Sequence, residues 1–105
     1  MATLNFFKRK AVPYLVNKGE TSNSWFREYS DGWVEQGGYF SANEATEVVS
    51  LAKPFVNANY CLVINGNIVG TANGNFGFSA KTNSTFSILN AYNAKGFDWF
   101  ACGFS

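Results

Sequence analysis

The chain has 105 residues with a formal net charge of +1, and only 14% of its residues are charged. This length supports one domain with a modest core. The near-neutral charge excludes a strong electrostatic attraction to nucleic acid, whose binding proteins carry clustered positive charge. No stretch approaches the roughly 20 apolar residues of a membrane-spanning helix, so we expect no membrane insertion.

The N-terminal part of the chain carries a short basic run. Residues 1–11 include Lys8, Arg9 and Lys10 and are predicted to be a connecting segment, and residues 12–105 a single domain. The apolar stretch at residues 4–7 is too short for a secretory signal, which indicates synthesis in a cytoplasm. Residues 12–17 are predicted as a first strand and residues 18–23 as a turn-rich loop.

The next stretch has the pattern of a β-hairpin. Asp31 and Gly32 separate two runs rich in aromatic and β-branched residues, 25–30 and 33–37. An Asp-Gly pair in this context predicts a two-residue loop. The strand register that follows from this loop places Glu28 opposite Glu35. Both faces of such a ribbon carry aromatic side chains, so both need to be covered, and the second covering surface could be another subunit.

The remainder of the chain also has the pattern of short strands. Residues 59–64 are apolar on both faces, which predicts a sandwiched central strand, and residues 97–104 predict a closing strand buried on both sides. The other predicted features are strands at 45–51, 67–70, 76–80 and 84–90, with turns at 37–38, 65–66 and 73–74. The predicted fold is an all-β antiparallel sandwich of about eight short strands.

The residue types argue against most catalytic chemistry. The chain has no histidine, which excludes Ser/His/Asp and Cys/His systems, and its two cysteines cannot complete a zinc site alone. Cys61 and Cys102 are expected to be reduced core residues, with a disulfide as the alternative. Glu28 and Glu35 could form a paired-carboxylate site, although a solvated or Arg-paired sheet face is favoured. We expect no enzyme, no cofactor and no metal, with calcium as the one open exception.

Three segments resemble one protein family. Residues 25–38 (WFREYSDGWVEQGG), residues 52–55 (AKPF) followed by 59–63 (NYCLV), and residues 97–104 (FDWFACGF) are similar in order to the C-terminal tip domain of bacteriophage tail-fibre proteins. The resemblance runs from about Tyr14 to the last residue. It implies a β-sandwich that forms homotrimers and touches the host surface, located in the virion tail fibre and made in the host cytoplasm.

Recognition is therefore the predicted function, with a bacterial cell-surface glycan or an outer-membrane protein as the partner. We expect the side chains of the strands to be buried by packing and the connections between strands to bind the receptor. The candidate receptor-binding residues are Asn67, Asn73, Asn75, Lys81, Asn83, Tyr92 and Asn93. The alternative is a structural module that trimerises or caps a fibre without receptor contact, and a third hypothesis is a small glycan-active enzyme based on Glu28 and Glu35.

Overall fold

A computed structural model describes residues 12–41, 45–66, 77–89 and 96–105. The described chain consists of strands and irregular connections, and no helix in these ranges is long and apolar enough to cross a membrane. The strands are β1 (Leu15–Glu20), β2 (Ser24–Tyr29), β3 (Trp33–Ser41), β4 (Thr46–Ser50), β5 (Cys61–Gly66), β6 (Gly77–Lys81), β7 (Thr85–Leu89) and β8 (Gly96–Phe104).

The strands form two antiparallel sheets. The larger sheet has the order β1-β2-β3-β8-β5, and the smaller has the order β4-β7-β6. The prediction of an all-β sandwich of about eight short strands is confirmed. The predicted hairpin from residues 76–80 and 84–90 is also confirmed as β6 and β7, and the strand predicted at 45–51 contains β4.

The core lies between the inner faces of the two sheets. The ring of Phe86 on the smaller sheet meets Trp99 on the larger sheet edge-on, at 5.3 Å between ring centroids. Side chains alternate across a strand, so β3, β7 and β8 contribute alternate residues to this core, and partly buried residues of β4 and β5 pack against it. The buried hydrophobic residues are Val34, Phe55, Tyr60, Phe86, Ile88, Phe97, Trp99 and Ala101.

The irregular segment 51–60 is tied to this core by side chains. The Phe55 and Tyr60 rings stack at 4.4 Å, and the Tyr60 hydroxyl donates a hydrogen bond to the Thr85 carbonyl at 3.2 Å. Burial raises the pKa of Tyr60 to about 12. Fully buried Gln36 donates to the Lys53 carbonyl at 2.7 Å and accepts from the Lys53 amide at 3.2 Å. The Gln36 side-chain amide thus forms the pair of hydrogen bonds with Lys53 that a neighbouring strand would otherwise form.

The hairpin loop differs from its prediction. Glu28 pairs with Val34 and Arg27 with Glu35, so the loop contains the three residues between Tyr29 and Trp33. The Gly32 amide donates to the Tyr29 carbonyl at 2.9 Å, and Gly32 has a φ of 91°. A type I turn followed by one left-handed residue is the usual three-residue hairpin, and it requires positive φ at one position only. The predicted two-residue loop is therefore wrong.

This shift of one residue separates the two glutamates. In the observed register Glu28 points to the inner face of the sheet, where Lys53 lies 3.5 Å away, and Glu35 points to the outer face. A one-residue change of register moves every side chain to the other side of a strand. The predicted pairing of Glu28 with Glu35 is therefore wrong, and these two carboxylates do not form a shared site.

Three other predicted boundaries are wrong. The first strand begins at Leu15 instead of residue 12 and continues through Gly19. Gly19 belongs to the predicted loop 18–23, but it pairs with Phe26, whose ring occupies the space that a Cβ would need. The glycines at 37–38 are not a bend, because β3 continues through them in register with β8. The residues at 65–66 are not a turn, because they pair with β8 inside β5.

Two predicted burial patterns are also corrected. The strand β5 lies at the edge of the larger sheet instead of at its centre. In β8, Phe97, Trp99 and Ala101 are buried as predicted, but Phe100 is 37% and Phe104 51% exposed. Only one apolar side of β8 faces the smaller sheet, and the other side lies on the outer surface of the larger sheet, where the Trp25 and Trp33 rings cover it in part. The predicted strand 67–70 and turn 73–74 lie outside the described residues, as does the connecting segment 1–11.

Candidate functional site

The outer face of the larger sheet carries a cluster of aromatic side chains. Alternation along β2, β3, β5 and β8 turns one residue in two away from the core. We call this surface the outer aromatic face, formed by Trp25, Tyr29, Trp33, Val63, Phe100 and Phe104. Soluble monomers rarely expose large contiguous apolar patches, and such patches mark interaction sites.

The aromatic rings of this face are held in place by one another. The Trp33 and Phe104 rings meet edge-on at 5.0 Å, and the Trp25 and Phe100 rings are 6.1 Å apart. The Arg27 guanidinium lies over the Trp25 ring at 5.1 Å from its centroid. These contacts preorganise the rings, which reduces the entropy lost when a partner binds.

Glu35 lies among these rings. Its carboxylate accepts hydrogen bonds from the Tyr29 hydroxyl and the Trp33 indole N–H, both at 3.4 Å. Glu35 also pairs in register with Cys102, which in turn pairs with Cys61. The expectation that both cysteines are core residues is wrong for Cys61, which is exposed, and both thiols are free.

The outer face of the smaller sheet has a different chemistry. Its outward residues are set by the pairing of β4 with β7. Ser50, Thr85 and Ser87 are small and polar, and Val48 and Leu89 are the exposed apolar exceptions. A Ser/Thr-rich surface is well hydrated, whereas clustered rings are stabilised by burial. The outer face of the smaller sheet therefore suits contact with water, and the outer aromatic face suits contact with another protein surface.

One end of the sandwich, which we call the hairpin end, is closed by backbone hydrogen bonds. The Ser105 amide donates to the Gly32 carbonyl at 2.9 Å, which fixes the last residue to the β2–β3 loop. The Phe55 amide donates to the Asn83 carbonyl at 2.8 Å, which fixes the β6–β7 loop to segment 51–60. The connections at this end are thus part of the packed structure.

The opposite end, which we call the loop end, is where six strand ends meet. Pairing aligns the end of β3 with the start of β8 and the end of β5, and aligns the start of β4 with the end of β7 and the start of β6. The chain continues from these strand ends into residues 42–44, 67–76 and 90–95. The strand-end residues are Ser41, Thr46, Gly66, Gly77, Leu89 and Gly96.

A polar groove lies towards the loop end, beside the β1–β2 turn. It is open, has a volume of about 490 Å³, and includes Tyr39 and Asp98 in its wall. The Tyr39 amide donates to the Asn23 carbonyl at 2.8 Å and thereby holds the turn against β3. The remaining lining residues are Glu20, Thr21, Ser22, Asn23, Ser24, Trp25, Gly38 and Trp99. Hydroxyl, amide and carboxylate groups beside a tyrosine ring can bind a polar ligand.

The structure describes two of the seven predicted receptor-binding residues. Lys81 is engaged within the fold, because its ammonium group donates to the Tyr60 carbonyl at 2.6 Å and lies 4.8 Å from the centroid of the Tyr60 ring. Asn83 is exposed in the β6–β7 loop. Both belong to the hairpin end. The other five, Asn67, Asn73, Asn75, Tyr92 and Asn93, lie outside the described residues, in segments that continue from strands at the loop end.

Sequence reasoning found the outer aromatic face in part and missed the groove. The hairpin rings were predicted to need a second covering surface, but the outward side of β8 was assigned to the core because β8 is apolar on both sides. The groove was missed although residues 21–24 have the same Ser, Thr and Asn composition that singled out the other loops. Within the described ranges, no three or more Cys, Asp or Glu side chains come together as a group that could hold a metal ion.

Comparison with known proteins finds similarity at the level of the fold. No protein-family model matches the chain, and no curated protein has significant sequence similarity to it. A solved structure of an N-truncated R2-type pyocin tail fibre has a TM-score of 0.59 and 20% identity, over 84% of this chain and 38% of the fibre chain. A C-terminal fragment of the P. aeruginosa R2 pyocin fibre has the same TM-score and identity, over 84% of this chain and 26% of that chain.

The chain thus has the fold of a domain found in these tail fibres, and it spans 38% and 26% of the two fibre chains.

Proposed function

We propose that the chain is the tip domain of a phage-type tail fibre, which assembles as a homotrimer and attaches to a receptor on a bacterial surface. The fold shared with R2-type pyocin fibres supports the fibre assignment. It also supports a location in a phage-like particle or virion, which the resemblance of residues 25–38 implies. The receptor is a cell-surface glycan or an outer-membrane protein, and neither nucleic acid nor a membrane interior is a partner.

The main support for the proposed trimer is the partial exposure of the outer aromatic face. Association costs roughly 4 to 15 kcal/mol in lost freedom of motion. Burying one large apolar side chain recovers about 1.5 to 3 kcal/mol, so several must be shared per subunit. The face offers Phe104, Val63 and Phe100, which are 51%, 55% and 37% exposed, and the partly exposed rings beside them. A second and a third copy of the chain are the surfaces that we propose to cover it.

The receptor-binding surface is proposed at the loop end. A sheet that buries its aromatic face against other subunits leaves its connections free to bind. The hairpin end is closed by its own hydrogen bonds, and Lys81 there is engaged with Tyr60. The loop end combines the polar groove beside Tyr39 with the strands that lead into segments 67–76 and 90–95. Five of the seven candidate residues belong to those segments.

Adsorption to intact bacteria tests this function. Fluorescently labelled chain is mixed with a panel of bacterial strains and bound fluorescence is measured, with a heat-unfolded sample as the background. We expect saturable binding to some strains and none to others. Tyr92→Ala is expected to weaken adsorption while leaving folding nearly intact, because a tyrosine in a connection offers a ring that stacks on a sugar or fills a protein pocket.

Asn83→Ala is the matched control, because Asn83 is an exposed polar residue in a connection at the opposite end. We expect it to bind like the parent chain. The structural alternative, a module that only trimerises or caps a fibre, predicts a folded trimer that adsorbs to no strain. If Tyr92→Ala adsorbs normally while Asn83→Ala does not, the receptor surface lies at the hairpin end.

A further inference from the structure

The two cysteines lie directly opposite each other on neighbouring strands. Cys61 begins β5 and pairs with Cys102 of β8, on the outer side of the larger sheet. Side chains at directly opposed positions of an antiparallel pair have Cβ atoms about 4.5 to 5.5 Å apart. A disulfide needs Cα atoms about 4.4 to 6.8 Å apart, a range that includes both kinds of antiparallel pair. Closing a disulfide here needs only a small approach of the two side chains.

The two thiols differ in their surroundings. Cys61 is exposed, whereas Cys102 is half-buried between Cys61 and Glu35. Burial raises the pKa of the Cys102 thiol, and the neighbouring Cys61 and the Glu35 carboxylate raise it further. Because the thiolate is the reactive form and access limits attack, Cys61 is the thiol that reacts first with an external reagent.

We propose that Cys61 and Cys102 are a cross-strand dithiol that closes to an intrachain disulfide when the protein meets a low-molecular-weight disulfide such as oxidised glutathione. The Cys61 thiolate attacks one sulfur of the reagent, forms a mixed disulfide and releases one glutathione thiolate. The Cys102 thiolate then attacks the Cys61 sulfur, the protein disulfide forms and the second glutathione leaves. Two protein thiols are oxidised and one molecule of reagent is reduced to two thiols.

The bond would join an edge strand to the interior of its sheet. Among the strands that the structure describes, β5 pairs with β8 alone in the larger sheet, which holds it on one side. A covalent link across that pair restricts the unfolded chain and is expected to raise the denaturation midpoint. In a reducing compartment the thiols persist, and outside it they can oxidise. Both cysteines lie on the outer side of the larger sheet, which we propose to be covered in the trimer, so the reaction is that of the single folded chain before it assembles. The inference does not depend on the proposed function.

Equilibration of the folded chain with mixtures of reduced and oxidised glutathione tests the proposal. Remaining thiols are blocked in denaturant, counted and located by mass spectrometry. Trypsin separates the two cysteines because Lys81 and Lys95 lie between them in the sequence. We expect both thiols to disappear together, the intact chain to lose two hydrogen atoms in mass, and one crosslinked peptide pair to appear. The oxidised chain should show a higher urea midpoint.

Cys61→Ser is the control. It should retain a single thiol and show no change in urea midpoint between the two redox conditions. The proposal is overturned if the parent chain keeps both thiols, if each cysteine carries its own glutathione, or if the crosslink joins two chains on a non-reducing gel. A crosslinked chain with an unchanged or lower midpoint would overturn the stabilising role.

Discussion

The backbone angle of Gly32 determines the geometry of the central hairpin. Gly32 has a φ of 91°, in the left-handed region that β-branched residues resist. We predict that Gly32→Val destabilises the fold by more than about 1 kcal/mol, measured as a shift in urea midpoint. The nearest atoms to a Cβ at this position are 3.9 Å away, so the expected cost is conformational instead of steric.

Gly77→Val provides the matched control for this change. Gly77 also lies next to a connection, but its φ is not positive and no atom lies within 4 Å of a Cβ built on it. It should change stability by less than about 0.5 kcal/mol. Equal midpoints for the two variants would contradict the assignment of a left-handed position at Gly32.

Gln36 is a second residue on which local structure depends. It is fully buried, and its amide satisfies both the N–H and the carbonyl of Lys53. We predict that Gln36→Leu, of similar size, costs about 1 to 3 kcal/mol because the N–H and the carbonyl of Lys53 lose their partner. Protection of the Lys53 amide from hydrogen exchange should fall with it. Unchanged protection would contradict this role.

At the scale of a strand, β8 shows why alternation alone does not identify a core. Its inner residue Trp99 is 6% exposed and contacts Phe86. We predict that Trp99→Ala costs roughly 3 to 5 kcal/mol as a core truncation, measured by urea denaturation. Asp98→Ala, the exposed neighbour on the other side of the strand, should stay within about 0.5 kcal/mol. A loss for Trp99→Ala as small as the one expected for Asp98→Ala would place Trp99 outside the core.

The sequence predicts the class of the fold but not the order of its strands. Short runs of aromatic and β-branched residues between turn signals gave the number of strands and the sandwich class. They could not give the order of the strands in each sheet, because pairing between distant strands leaves no local pattern. They also could not show that Phe100 and Phe104 face outward, because both sides of β8 are apolar.

The candidate site was predictable only in part, for a similar reason. Composition selects polar connections, but it does not show which ones the fold has already engaged. Lys81 looked available, yet its ammonium group is bonded to the Tyr60 carbonyl. The register of the hairpin was equally hidden, because an Asp-Gly pair is compatible with loops of two or three residues. That difference of one residue placed Glu28 and Glu35 on opposite faces.

At the scale of the whole molecule, two parts of the surface have different proposed functions. The aromatic face of the larger sheet is the proposed contact between subunits, and the loop end is the proposed contact with the host. The smaller sheet presents residues such as Ser50, Thr85 and Ser87 on its outer side, which suits contact with water. This division accounts for a chain with few charges and many rings.

The mass of the native particle in solution tests this account most directly. Light scattering after size exclusion should give three times the chain mass of 11.6 kDa for the parent protein. Val63→Asp should give the single-chain mass with an unchanged circular dichroism spectrum, because Val63 is 55% exposed on the outer aromatic face and its carboxylate replacement would be buried against another subunit in the trimer. A parent protein that is a stable monomer, or a Val63→Asp variant that remains a trimer, would contradict the account.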